Sequence, residues 1–230
     1  MKHGLLTAGV LLAGLALFAG TLTVAGAALR QPVKETVLTV TKEEETVSFP
    51  YPIEGTSLTV EKLAVYEGPA LEEGSDEPLV DVLALMLNNT GQQEVLFAQI
   101  LLKTGDTTHR FTGTHIPAES KVLLIEKDHA PWAAYPYTAC SGSAVTAENN
   151  GLFADEVEVT EIGMGELMLT NLTRRKLKDV RIYHKNFLRV YIGGITYCTE
   201  AGSLEAGESI KIFPDHYAAG YSKIVRIEEE

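Results

Sequence analysis

The sequence predicts an all-β protein: two tandem Ig-like β-sandwich domains behind an N-terminal transmembrane or signal helix. Three observations carry this. Short runs of strand formers recur at a spacing of about 8–12 residues, separated by turn signals. The two halves of the chain look like copies of each other. The only long apolar run stands at the N-terminus.

That run, Gly4 to Leu29, holds 26 residues without a charge. As a helix it reaches ~39 Å, against a hydrocarbon core of ~30 Å. Two readings stay open: an uncleaved signal anchor, or a signal peptide cut after Ala25-Gly26-Ala27. No cysteine stands near the junction, which excludes a lipoprotein anchor. Lys2 and the amino terminus before the run balance Arg30 and Lys34 after it, so charge leaves the orientation open. The bulk of the chain is placed outside the cytoplasm, as a single-pass cell-membrane protein or, after cleavage, a secreted one. The expected division is 1–30 anchor or signal peptide, 31–54 juxtamembrane segment, 55–130 first sandwich, 131–154 linker and 155–230 second sandwich.

Strands are expected at 58–66, 79–87, 95–102, 108–112 and 121–126, then at 156–161, 165–170, 178–185, 188–199, 208–213 and 222–227. In 79–87 both parities are apolar, as in a central strand. Gly193-Gly194 inside a strand reads as a bulge or bend. Asn88-Asn89-Thr90 and Asn171-Leu172-Thr173 read as turns. Residues 131–154, rich in Ala, Ser, Gly, Pro and Asn, read as a loop.

The repeat is visible at an offset of 82. Residues 85, 86, 87, 89, 100 and 103 are identical to their counterparts, 6 in 19 positions. Ile116-Pro117-Ala118-Glu119 and Leu204-Glu205-Ala206-Gly207 each precede a strand. The halves close with Asp128-His129 and Asp215-His216. Three matches in one order point to duplication.

The second half runs Asn171-Leu172-Thr173, then Leu177-Lys178-Asp179-Val180-Arg181-Ile182-Tyr183, Gly193-Gly194-Ile195 and Leu204-Glu205-Ala206-Gly207-Glu208-Ser209. That order resembles the FxLYD-type domains of bacterial envelope proteins over residues 161–227, and more faintly over 80–128. Ile182-Tyr183-His184-Lys185 departs from the family pattern, with no Asp-Gly turn behind it. The resemblance implies a small extracytoplasmic β-sandwich and brings no catalytic residues.

Composition narrows the function. The net charge is −12, against the basic surface a nucleic-acid binder needs, so no nucleic-acid partner is expected. Two cysteines are too few for a disulfide scaffold or a four-thiolate zinc site. The sequence holds no Gly-x-Ser-x-Gly, His-Glu-x-x-His or phosphate-binding glycine loop. No catalytic residue, metal ligand set or cofactor is therefore assigned.

Four weaker features remain. Residues 34–130 hold 17 acidic and 7 basic residues, while 160–230 hold 10 of each. Arg174, Arg175, Lys176, Lys178, Arg181, Lys185 and Arg189 crowd around one hairpin of that second half. Such a face suits an anionic envelope polymer, anionic lipid or the acidic first half and Glu43-Glu44-Glu45. Trp132, Tyr135 and Tyr137 form a candidate aromatic contact patch. Cys140 and Cys198 are candidates for a disulfide outside the cytoplasm, with two free thiols as the alternative. The repeated Asp-His pairs suit either a polar turn or part of a metal site.

The expected function is non-enzymatic: a membrane-tethered binding or spacer module at the cell envelope, its partners the membrane, through the N-terminal segment, and an envelope protein or anionic polymer. The alternatives are a metal-dependent or catalytic module built on Asp128, His129, Asp215 and His216, or an assembly subunit using an open sheet edge.

Overall fold

Strand formers with a two-residue burial period set the elements. The computed structural model describes residues 46–73, 77–148 and 155–229, so the apolar segment Gly4–Leu29 lies outside the described residues. Among the described residues no helix is long and apolar enough to cross a membrane. The strands are β1 (Tyr51–Pro52), β2 (Leu58–Pro69), β3 (Pro78–Asn89), β4 (Val95–Thr104), β5 (Thr107–Ile116), β6 (Ser120–Ile125), β7 (Ala139–Thr146), β8 (Val157–Gly163), β9 (Glu166–Asn171), β10 (Leu177–Leu188), β11 (Val190–Leu204), β12 (Ser209–Ile212) and β13 (Ser222–Glu228). A 3-10 turn spans Leu71–Glu73.

In β9, Leu167, Leu169 and Asn171 are buried and the residues between them half-buried. That alternation marks one face on a core and one face partly wet. In β3, Val82 to Leu85 are all buried. Both parities are covered because the strand faces two cores. Leu83, Leu85 and Leu87 pack with Ile100, Phe111 and Leu124, while Val82 and Ala84 turn the other way onto Tyr66 and Ile125.

One seven-stranded sheet runs β1-β2-β3-β6-β11-β10-β13. Two three-stranded sheets, β5-β4-β7 and β12-β9-β8, pack against it. The first encloses a core with β2, β3 and β6. The second encloses Leu167, Leu169, Val180, Ile182, Leu204 and Ile227 with β10, β11 and β13. The protein is thus all-β with a sandwich-like layering, and every described residue belongs to one compact unit. The two parts meet within the large sheet. There β6 and β11 pair in parallel, Tyr191 opposite Val122 and Ile192 opposite Leu123.

Strands β2–β7 and β8–β13 pair in the same pattern: β3 holds β2 and β6, β4 holds β5 and β7, β9 holds β8 and β12, and β10 holds β11 and β13. The registers coincide as well. Val95 faces Ile116 as Leu177 faces Leu204, and Ile100 faces Phe111 as Ile182 faces Thr199. Asn88 faces Lys121 as Thr170 faces Ser209. The shift is 82 before the hairpin turn (182 − 100) and 88 after it (199 − 111), so the second hairpin is longer by 6 residues.

Two side chains repeat this equivalence. The Asn89 Nδ2 donates to the carbonyls of Gln93, Ile116 and Pro117 at 2.9, 3.4 and 3.0 Å. The Asn171 Nδ2 donates to those of Arg175, Leu204 and Glu205 at 2.8, 3.1 and 2.9 Å. Their Oδ1 atoms accept from the backbone of Gly91 and Thr173. Both asparagines are fully buried. Each binds three backbone carbonyls at one end of its core.

Residues 139–146, expected within a loop, form β7 along β4. Only Cys140 of this strand is buried, so its sequence lacks the apolar alternation that marks a strand. Gly142 explains why the strand is built of small residues. A Cβ there would lie 2.7 Å from both the Gln99 carbonyl and Ile100 Cδ1.

Replacing either buried asparagine by alanine orphans several carbonyls. Asn89→Ala and Asn171→Ala are each expected to lower stability by about 2–4 kcal/mol in urea unfolding. Asn88→Ala, which removes a partly buried bond to Glu61, is expected to cost less than about 1 kcal/mol.

Candidate functional site

The six extra residues of the second hairpin build the seam between the two parts. They supply Tyr191 and Ile192 to the parallel pair with β6. Beyond them the β10–β11 register breaks between His184 and Asn186, and β11 bulges through Gly193 and Gly194, as the glycine pair predicts. The bulge reaches the first half. Gly194 N donates to Glu72 Oε1 at 2.6 Å, and Thr114 Oγ1 donates to Gly194 O at 3.1 Å. Thr196 Oγ1 donates to Thr114 O at 3.0 Å. A Cβ on Gly194 would stand 1.8 Å from the Thr112 carbonyl, so backbone meets backbone there.

Lys185 lies under this bulge, fully buried. Its Nζ donates to Gly194 O at 3.0 Å, Ile195 O at 2.5 Å and Thr196 Oγ1 at 3.0 Å. Those three acceptors match the three donors of an ammonium. Burial pushes the Lys185 ammonium down to about 7, and the nearby Glu72 charge opposes that. Burial raises Glu72 in turn, against its bond from Gly194. An amine half-neutral near neutrality is chemically a base or nucleophile. Here all its directions are taken by protein acceptors and no solvent reaches it, so it acts as an internal hydrogen-bond donor holding the bulge.

Beside it a closed ring of side chains crosses the seam. His115 Nδ1 donates to Glu94 Oε1 at 2.7 Å, and Arg226 Nη1 donates to Glu94 Oε2 at 2.9 Å. Arg226 Nε donates to Glu228 Oε2 at 2.9 Å, the Tyr183 hydroxyl donates to Glu228 Oε1, and the His115 ring lies 4.5 Å from that of Tyr183. Burial works against the Glu228 carboxylate, but Tyr183 and Arg226 hold it below the usual range. Glu94 and His115 come from the first half, the other three from the second. Every carboxylate oxygen in the ring has a partner, so its chemistry is cohesion.

His184 forms a third cluster. It is fully buried, 5.1 Å from the Tyr197 ring and 5.2 Å from Tyr217, and Tyr197 stacks in turn on His216 at 4.8 Å. Neither of its ring nitrogens has a partner at hydrogen-bond geometry. Burial pushes its imidazolium down to about 4, with the backbone of His216 and Asp215 weakly favouring the cation.

The residues singled out in the sequence scatter over the surface and the cores. Arg175 pairs with Glu229 at 2.5 Å, Lys176 with Glu205 at 2.6 Å and Arg181 with Glu200 at 3.7 Å. Arg174 and Lys178 are exposed. The acids that meet these cations come from the second half itself, rather than from the first half as charge asymmetry suggested. Glu43-Glu44-Glu45 lie outside the described residues. Lys185 is interior, so it belongs to no surface patch. Tyr137 is 5% exposed in the first core, while Trp132 and Tyr135 are 37% and 46% exposed. The aromatic segment is tied down, with Val47 N donating to Tyr137 O and Trp132 N to Asp81 O. Cys140 and Cys198 are both free thiols, on β7 and β11 in different sheets, which is the second of the two readings left open by the sequence.

His129 and His216 occupy turns at φ 54° and 61°. In the first turn, buried Glu126 accepts from Asp128 N and Ala130 N at 2.9 Å each. Among the described residues no three His, Cys, Asp or Glu side chains converge as a metal site would require. A cleft of about 630 Å³ is lined by Gly55–Ser57, Gly91–Gln93 and Thr146, none of them ionisable.

Sequence reasoning missed Glu72, Glu94, His115, Tyr183, His184, Arg226 and Glu228. One signal existed. His184 continues the buried parity of Val180 and Ile182, where an apolar residue is expected. No protein-family model matches this chain, and no curated protein matches it.

The His184 position in the first half is Leu102 (184 − 82), also buried. His184→Leu is therefore expected to fold and to change acid sensitivity. In the wild type the folded pKa lies below the unfolded one, about 4 against 6.5. Unfolded chain then binds more protons across that window, and stability is lost as pH falls through it, by at most about 3 kcal/mol. Urea unfolding from pH 7 to 4 checks this; the leucine variant should show a flatter limb. Gly194→Ala is expected to cost about 3 kcal/mol or more, because the obstructing atom is backbone. The same titration reads it.

Proposed function

We propose that this chain is a non-enzymatic, membrane-tethered extracytoplasmic protein whose body is a binding or spacer module at the cell envelope. The observation that carries the reading is the use made of its buried and half-buried ionisable groups. Lys185, Glu72, Glu94, Arg226 and Glu228 are spent in joining the two parts, with their bonds made within the protein. A catalytic group needs an open direction toward a substrate. A body stiffened by a shared sheet and a bonded seam suits a spacer that holds its surfaces in fixed relation.

The body is read as two Ig-like sandwich modules of FxLYD type, arisen by duplication. The matching pairing pattern and the two buried asparagines support this. Because β7 pairs with β4, the first module extends to about residue 148. The apolar run Gly4–Leu29 supports tethering.

Fractionation of cells making the full chain with a C-terminal tag tests the proposal. The chain is expected in the membrane fraction, with its tag removed by protease added to intact spheroplasts. Recovery in the cytosol, or a tag protected until the membrane is broken, overturns it.

A further inference from the structure

The tip of the second hairpin differs from its counterpart in kind as well as length. Leu188 and Val190 face each other, leaving Arg189 as a one-residue turn at φ 66°. The first hairpin turns through Gly105-Asp106, with Gly105 at φ 53°. Glycine takes that conformation freely, whereas an arginine there is strained. Strain kept at an exposed tip directs attention to what the side chain does.

Around Arg189 the tip is apolar and aromatic. Leu188 is 56% exposed and the adjoining Tyr221 61%. Both stand at the same end of the sheet, since Phe187 N, one residue before Leu188, donates to Tyr221 O at 2.7 Å. Lys223 Nζ stands 3.6 Å over the Phe187 ring, and Phe187 meets Tyr191 at 5.1 Å. Arg189 and Lys223 make no ion pair among the described residues, whereas Arg175, Lys176, Lys211 and Arg226 do.

We propose that this tip is a contact site for an anionic lipid surface. Exposed leucine and tyrosine enter the headgroup–acyl boundary, and flanking cations meet anionic headgroups. A soluble anionic polymer would engage the two cations and leave Leu188 and Tyr221 in water. The inference goes beyond the tethering reading and does not need it, because the contact lies in the body. Two cations and a few apolar groups give weak binding, which a tethered chain would strengthen through local concentration.

The test is co-sedimentation of residues 43–230, the compact unit, with vesicles of phosphatidylcholine alone or mixed equally with phosphatidylglycerol. The wild type is expected to partition onto the mixed vesicles and hardly onto the neutral ones. Arg189→Gly relieves the backbone and removes the charge, so it should fold at least as well and bind about fivefold less. Leu188→Asp should lower binding by tenfold or more, with an unchanged circular dichroism spectrum. Equal binding to both vesicle types, or binding indifferent to both substitutions, overturns the proposal. So does capture of inorganic polyphosphate that depends on Arg189 and ignores Leu188, which would make the tip a polymer site.

Discussion

A buried ammonium is the constraint on which the rest of this protein depends. Removing Lys185 from water without partners would cost several kcal/mol. The cost is met because three acceptors converge on Nζ, and all three belong to the β11 bulge. The bulge exists only because the second hairpin is six residues longer than the first (88 − 82). The same bulge lets Gly194 reach Glu72 and Thr114 of the first half. One insertion thus supplies the parallel strand pair, the lysine's acceptors and the backbone contact across the seam. None of these stands without the others.

The counterpart of Lys185 makes the dependence plain. Lys103 holds the same place on β4 and is exposed. Identical side chains at matching positions have opposite environments because only one hairpin bulges back over its own strand. The ring of Glu94, His115, Tyr183, Glu228 and Arg226 adds a second attachment, again with polar groups in place of an apolar patch. Such a seam fixes one geometry, since half-made bonds between buried charges are worse than none. That rigidity suits the spacer role proposed above.

Much of the fold was legible in the sequence. Eleven of the thirteen strands follow from apolar alternation and turn signals. The both-faces-buried character of β3 and the bulge at Gly193-Gly194 could be read directly. The repeat was visible in Leu85-Met86-Leu87 and Leu167-Met168-Leu169, which fill matching core positions. β7 was not legible, because Gly142 and its small neighbours hold place by backbone pairing and close approach rather than by burial. The seam was illegible for a different reason. Glu94 and Arg226 are 132 residues apart, and nothing local marks a charged residue as one that will be paired in the interior. Charge counting placed Lys185 on a basic face, and strand alternation agreed, because Lys185 lies on the parity opposite to Val180, Ile182 and His184; only the bulge folded over it makes it interior.

The insertion also limits how far such joining can go. A strand edge that accepts a parallel partner from a like-built unit is a heterologous contact, which can propagate without closing. In the second half the counterpart of β6 is β12, which ends its own sheet. An extended hairpin from another unit would suit that edge as β11 suits β6. The first half cannot supply one, because its hairpin turns tightly at Gly105-Asp106. The second half's extension is already occupied by β6 of its own chain. β12 is also short, 4 residues, and carries Lys211 paired to Glu166, both of which discourage edge pairing. Two like-built halves can therefore share a sheet once within a chain and stop there, because the device that joins them is present in one copy only.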